Sequence, residues 1–289
     1  MAHAVFAGLC TLDVIQSVAR VPAEDEKVTA LRQTVAAGGP ATNAAVTFAH
    51  LGGAATLLTG IGRHPLAAGV RADLAARGVR VRDLAPEHDG PPAVSSVLVT
   101  AGTGSRAVAS TNAAGAHLVP PDDLDLAGVA ALEVDGHHPA LAEAALTEAR
   151  RRGIPAILDA GSWKDGTARL LPLLDVVAAS ADFRPPGDGP VEKIIRGYGV
   201  PWIAITAGAA PIRWWGPGGV SGEVTVPAVS VVDTLGAGDV FHGALTHAVA
   251  TGGRPTPATF PGMLDFAARI AARACGSFGT RAWMHHAGT

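Results

Sequence analysis

Short, continuously apolar runs alternate along this chain with longer stretches in which small and apolar residues recur at helical spacing. The first run, Ala4 to Leu9, bends around Gly8, and Ala41 to Leu51 follows with helical periodicity. Ala54 to Gly60 predicts a buried strand, Gly69 to Arg77 a helix, and Gly78 to Leu84 a short strand entered after a glycine stop. The rhythm continues with a strand over Ala130 to Val134, a helix over Ala140 to Arg152, and a strand over Ile154 to Asp159. Next come a buried run over Leu174 to Ala179, a helix over Val191 to Tyr198 and a strand over Trp202 to Thr206. Runs that are apolar at every position leave no face for solvent, and strands that alternate with helices pair in parallel. The expected fold is α/β: a doubly wound, mostly parallel sheet flanked by helices.

Two stretches break this rhythm, at about residues 14–36 and 93–112. In the second, Val94 to Thr100 and Arg106 to Ser110 flank the turn Ala101-Gly102-Thr103-Gly104-Ser105, the pattern of an antiparallel hairpin. We expect these insertions to form a small β-rich lid over a site at the sheet's edge, within one domain spanning residues 1–289. The Pro- and Gly-rich segment 184–190 is a connection, because strand and helix patterns resume directly after it.

Composition narrows the choices. A content of 48% hydrophobic residues supports a substantial core, and a net charge of −3 gives no footprint for nucleic acid. Lysine is confined to Lys27, Lys164 and Lys193, and Arg150-Arg151-Arg152 reads as a solvated helix end. No apolar run is long enough to span a bilayer and no secretory signal is visible, so the expected location is cytoplasmic with no membrane partner. Cys10 and Cys275 have neither disulfide nor metal-ligand spacing.

The most informative segment is Val231-Val232-Asp233-Thr234-Leu235-Gly236-Ala237-Gly238-Asp239-Val240-Phe241-His242-Gly243-Ala244-Leu245. It passes from extended residues through glycines into a helix, so the amides of Gly236, Ala237 and Gly238 converge at the helix's positive end. Such an anion hole stabilises the charge that gathers on phosphate oxygens during phosphoryl transfer. Asp239, beside it, is placed to accept the proton of an attacking hydroxyl. Gly-x-Gly-Asp alone more readily describes a tight turn with an aspartate cap.

The full string, Asp233-Thr234-x-Gly236-Ala237-Gly238-Asp239-x-Phe241 with its small-residue helix, resembles the C-terminal signature of the ribokinase-like, or PfkB, carbohydrate kinase family. Gly38-Gly39-Pro40-Ala41-Thr42-Asn43-Ala44-Ala45 followed by Leu51-Gly52 is similar to the family's N-terminal segment. The wording from Asp239 to Leu245 looks like the branch containing sulfofructose kinase, with ketohexokinase-like enzymes as further relatives.

The resemblance implies ATP-dependent phosphorylation of a hydroxyl on a small sugar or sugar derivative, with Asp239 as general base. Asp13 and Asn43 would hydrogen-bond sugar hydroxyls, and Gly38 and Gly39 would let the sugar approach the backbone. Lys27 and Asn112, on the two lid insertions, would reach the far end of the substrate, where Lys27 suits an anionic group; a solvent-facing lysine reads the same. Ser180, Thr206, Gly208, Gly236, Gly238, Gly276 and Gly279 would line the ATP site. Asp233 and the carbonyl of Leu235 would hold a monovalent cation such as K+, while Mg2+ would accompany the nucleotide.

This chain departs from the family pattern in three places. Pro211 stands where the last glycine of the Thr-x-Gly-x-x-Gly loop is usual, Phe183 where many relatives have a magnesium-organising glutamate, and Arg63-His64 where an acidic residue is common. Asp182 is the substitute candidate beside Phe183. A nucleoside kinase of the same fold and a catalytically silent sugar-binding regulator are the alternative readings. The lid segments carry no tryptophan, tyrosine or phenylalanine to stack on a base, which favours a sugar. Exposed lid strands suggest a homodimer paired through the lid.

Overall fold

A computed structural model of the chain describes residues 1–112 and 114–285. The chain starts with β1 (His3–Ala7), leaves for β2 (Thr11–Val18) and β3 (Arg32–Gly38), and returns through α1 (Pro40–His50), β4 (Ala54–Thr59), α2 (Pro65–Ala76) and β5 (Val79–Asp83). A second excursion, β6 (Ala93–Thr100) and β7 (Arg106–Ser110), precedes β8 (Ala131–Val134), α3 (Pro139–Arg152), β9 (Ala156–Ala160), the short α4 (Thr167–Leu170) and β10 (Val176–Ser180). Then follow α5 (Val191–Gly197), β11 (Trp202–Ala207), β12 (Ala210–Trp215), β13 (Ser221–Val224), α6 (Ala237–Gly252) and α7 (Phe260–Ala274).

The main sheet has 9 strands in the order β13-β12-β11-β10-β9-β8-β1-β4-β5. Every pairing from β5 to β11 is parallel, and β12 and β13 add an antiparallel edge. β1 shows why these strands are apolar throughout. Ala4 and Phe6 enter a core shared with α1, α6 and α7, whereas Val5 and Ala7 enter the opposite core beneath α3 and α5. From β1 the chain builds outward to β4 and β5, then crosses to β8 on the other side and builds the other way. The winding therefore reverses between β1 and β8, where the strands' carboxyl ends part to leave a crevice.

The two excursions form a separate 4-stranded sheet in the order β3-β2-β6-β7. The hairpins β2–β3 and β6–β7 are antiparallel, and β2 pairs with β6 in parallel. Its inner face packs Ile15, Val97 and Val99 on Phe278 of the C-terminal segment. Because side chains alternate along a strand, Asp13, two residues before Ile15, lies on that same inner face.

Several boundaries differ from the sequence expectation. The first excursion begins at Thr11, so Asp13 is itself on the small sheet, and Lys27 lies on the loop between β2 and β3 and not on a strand. α2 starts at Pro65, where proline suits a first helical turn and the His64 ring accepts the Leu66 amide at 3.2 Å. The β12–β13 hairpin and α7 were not anticipated. β12 buries only Ile212 and Trp214, the weak alternation of an edge strand, while α7 buries Phe260, Met263, Leu264, Ala267 and Ala268 along one stripe.

Candidate active site

The crevice between β1 and β8 is closed at its base by Asp135, the residue after β8. Its carboxylate accepts the Leu9 amide at 2.8 Å, the Ala41 amide at 3.2 Å and the His137 amide at 2.9 Å. Asp135 thus joins the ends of β1 and β8 to the start of α1. A side chain at Gly8 would displace it, since a Cβ there would lie 2.3 Å from the carboxyl carbon.

α1 and α6 cross tightly where both carry small residues. A Cβ on Gly243 would fall 2.3 Å from the Ala44 carbonyl oxygen, so only glycine permits this spacing. One turn earlier on α6, Asp239 meets the residue before Ala44: Asn43 Nδ2 donates to Asp239 Oδ2 at 2.7 Å. Gly236, with φ of 72°, turns the chain into α6. Asp239 therefore stands in the first turn, where backbone amides have no helical acceptor. The Ala237 amide reaches back to the Thr234 carbonyl at 3.3 Å, which turns it partly away from the anion hole expected of residues 236–238.

Asp239 is half-buried in an acidic neighbourhood. Loss of hydration raises its carboxyl to about 6, with the charge of Asp159 adding to the rise and the Asn43 hydrogen bond and His242 opposing it. Asp159, at the end of β9, lies 3.4 Å from His242 Nδ1. That ring also contacts the Gly238 carbonyl at 2.7 Å through Nδ1 and the Ala178 carbonyl at 3.0 Å through Nε2. Deeper still, Glu133 on β8 accepts the Thr246 hydroxyl, and burial drives its carboxyl well above the ordinary range.

On the lid side, Asp13 is buried and accepts the Thr11 hydroxyl at 2.6 Å; burial raises its carboxyl, with hydrogen bonds from Thr11 and Ser95 opposing. The space a Cβ would take at Gly38 is filled by that carboxylate, 2.0 Å away, and a Cβ at Gly39 would meet the Leu9 carbonyl oxygen at 2.4 Å. The glycine pair is thus required by the protein's own packing, whatever a bound sugar demands.

Asp233 organises the approach to α6. Its buried carboxylate accepts the Leu235 and Gly279 amides, each at 2.8 Å, and the Cys275 carbonyl accepts the Val232 and Asp233 amides. These are hard oxygen donors, and a carboxylate with two of its lone pairs so engaged keeps others for an alkali cation. The β6–β7 turn touches the same loop: Thr234 Oγ1 donates to the Gly104 carbonyl at 3.1 Å and accepts from Arg106 at 3.0 Å.

On the nucleotide side, Ser180 Oγ accepts the Asp182 amide at 3.1 Å, and the Thr206 carbonyl accepts the Ala181 amide at 2.7 Å, linking the ends of β10 and β11. Gly208, with φ of 59°, and exposed Pro211 belong to the β11–β12 hairpin. Gly276 closes a turn on the Arg273 carbonyl. Phe183 is fully buried against the partly buried Trp163, with ring centroids 5.6 Å apart, so Phe183 is a core residue and Trp163 covers its edge. Asp182 is exposed, and Arg63 points to Glu87 and Asp89 on the surface.

Lys27 and Asn112 are both exposed, and among the described residues neither side chain hydrogen-bonds to the Asp239 group. Sequence reasoning passed over Asp135, Asp159, Glu133, Arg281 and the contacts of His242. The first two follow the rule that ligands gather at the carboxyl ends of parallel strands, a signal that could have singled them out. A surface cavity of about 470 Å³ lined by Leu126, Arg151 and Arg152 includes none of these residues.

Comparison with known proteins gives a concordant picture. The model of the pfkB family carbohydrate kinases matches residues 1–287. Ketohexokinase from Mus musculus is 24% identical over 93% of this chain and 94% of its own length. A candidate ribokinase from Agrobacterium tumefaciens superposes with a TM-score of 0.84 at 27% identity, covering 98% of this chain and 94% of that one. The Arabidopsis thaliana ribokinase complexed with ribose and ATP gives a TM-score of 0.75 at 19% identity, covering 99% and 100%.

Proposed function

Because this chain belongs to the pfkB family and is an ATP-dependent carbohydrate kinase, we propose that Asp239 is the base that deprotonates its sugar hydroxyl. The observation that carries this reading is the Asn43–Asp239 hydrogen bond of 2.7 Å at the head of α6. It holds a carboxylate in place beside unpaired helix-end amides. In the reaction the sugar oxygen bonds to the γ-phosphorus, the bond from that phosphorus to the β-bridging oxygen breaks, and the hydroxyl proton passes to Asp239 as ADP leaves. The Gly238 and Asp239 amides face the phosphoryl oxygens, where positive helix-end charge opposes the negative charge of the transition state. A carboxyl raised to about 6 suits a base at neutral pH: it is ionised yet basic enough to take a proton.

Asp13 and Asn43 bind sugar hydroxyls from the two sides of the crevice, and the small sheet, whose inner face carries Asp13, acts as the lid of a single catalytic domain. Asp233 and the Leu235 carbonyl would hold K+, which would neutralise the loop leading into the anion hole. Mg2+ would arrive with ATP, bound mainly by the phosphates, because Phe183 is sequestered in the core and Asp182 is the one carboxylate of residues 180–184.

The test is ADP release with ketohexoses, ribose, other aldoses, sugar phosphates and nucleosides, with and without K+. Asp239→Asn should lower turnover of the best acceptor by roughly 10²- to 10⁴-fold while nucleotide binding by calorimetry is retained. Turnover comparable to the wild type in that variant would mean another group is the base.

A further inference from the structure

Arg281 is 8% exposed, and its guanidinium is spent entirely inside the protein. Nη1 donates to Asn43 Oδ1 at 2.8 Å and to the Thr280 carbonyl at 3.3 Å, Nη2 donates to the Ala37 carbonyl at 2.5 Å, and Nε lies 3.4 Å from Asp73 Oδ2. Asp73 Oδ2 also accepts the Ala37 amide at 3.1 Å. The group therefore clamps the end of β3, just before the glycine pair, to α2, and reaches Asn43 on α1.

A carboxamide is a two-ended group: one end accepts and the other donates, and rotation by 180° exchanges them. Between a carboxyl that can carry or lack a proton and an ordinary solvent contact, Asn43 could adopt either orientation. Arg281 removes that freedom, because a guanidinium only donates and never loses its charge. A flipped Asn43 would set NH2 against guanidinium N–H. With Oδ1 committed to Arg281, the NH2 end must face Asp239. We propose that Arg281 is a positioning residue for phosphoryl transfer, fixing the Asn43 carboxamide so that it donates to Asp239 and favours the ionised base. This rests on the reading of Asp239 as the base, and adds a role for the C-terminal segment that no contact with substrate requires.

The groups facing Asp239 are Asn43 from α1, Asp159 from the end of β9, His242 from the next turn of α6 and Asp13 from β2, with Glu133 of β8 behind. Of these, Asn43 is the one that bonds to Arg281. Removing Arg281 also removes a positive charge, which would act on Asp239 directly through space. The two routes separate in a double-mutant cycle, since only the relay passes through Asn43.

The readout is the titration of the Asp239 carboxyl by NMR in protein labelled with 13C-aspartate. The resonance is assigned by its loss in Asp239→Asn, and no sugar is needed. Wild type, Arg281→Met, Asn43→Ala and the double variant are compared, with Arg281→Lys as the gentler change should the methionine variant fail to fold by near-UV circular dichroism. The titration midpoint should rise in Arg281→Met and less in Arg281→Lys, and most of the rise caused by the Arg281 substitution should disappear once Asn43 is alanine. With an acceptor from the panel, turnover should fall roughly tenfold in Arg281→Met, and the fall due to Arg281 should be much smaller in the Asn43→Ala background. An unchanged midpoint in the single variants, or full additivity in the cycle, overturns the relay. Loss of the relay with Asp239→Asn still inactive would leave the base assignment standing, whereas an active Asp239→Asn would remove the base and the relay's purpose together.

Discussion

At Asp239 the protein keeps a carboxylate where burial and a neighbouring acid both oppose its charge, and this has consequences that oppose each other for activity and stability. Its carboxyl is raised from the ordinary 3.8 to about 6, so the acid limb of kcat/KM should fall off below pH about 6. The folded state holds this proton more tightly than the unfolded chain does. Stability from this group is therefore greatest below about pH 4 and is lost as pH rises to about 6, remaining lost at neutral pH. Asp239→Asn should consequently melt higher than the wild type at pH 7.5, by on the order of 1 kcal/mol, or about 2–4 °C at this chain length, with the gain vanishing at pH 4. Equal melting temperatures at both pH values would show that the carboxylate carries no such burden.

Among the elements, the decisive contact is between α1 and α6, because it brings Asn43 and Asp239 together across 196 positions of sequence. Gly243→Ala would force a Cβ to within 2.3 Å of the Ala44 carbonyl oxygen and push the helices apart. We expect a loss of about 1–3 kcal/mol in urea unfolding, with a larger fractional fall in turnover than in nucleotide affinity. Much of this level was legible beforehand. Strands such as β1, β9 and β10 have both faces buried and so carry uninterrupted apolar runs, and the small residues of 236–244 announce close packing of a helix end. The residues that reading passed over depend on strand order. Asp135 and Asp159 reach the crevice because β8 lies between β1 and β9, an adjacency that no local pattern encodes. Arg281 is a single basic residue near the end of the chain, and nothing beside it in sequence says that it will be enclosed. Lys27 was singled out by its place on a lid insertion, yet it lies exposed on a loop.

For the molecule as a whole, the small sheet presents two edges, β3 and β7, that no further strand pairs among the described residues, and its outer face carries Val14, Leu98 and Val35, the last 50% exposed. Free edges beside apolar surface favour pairing with another copy, so light scattering should give twice the chain mass of 29.0 kDa. Val35→Arg should halve that mass, and a wild-type monomer at micromolar concentration would refute the pairing. The segment that follows α7 closes the first elements of the chain. Gly279 satisfies Asp233, Phe278 supports the underside of the small sheet, and Arg281 joins α1, α2 and β3. The catalytic centre therefore takes its final form only when residues 278–281 are in place, however early the strands of the large sheet are made.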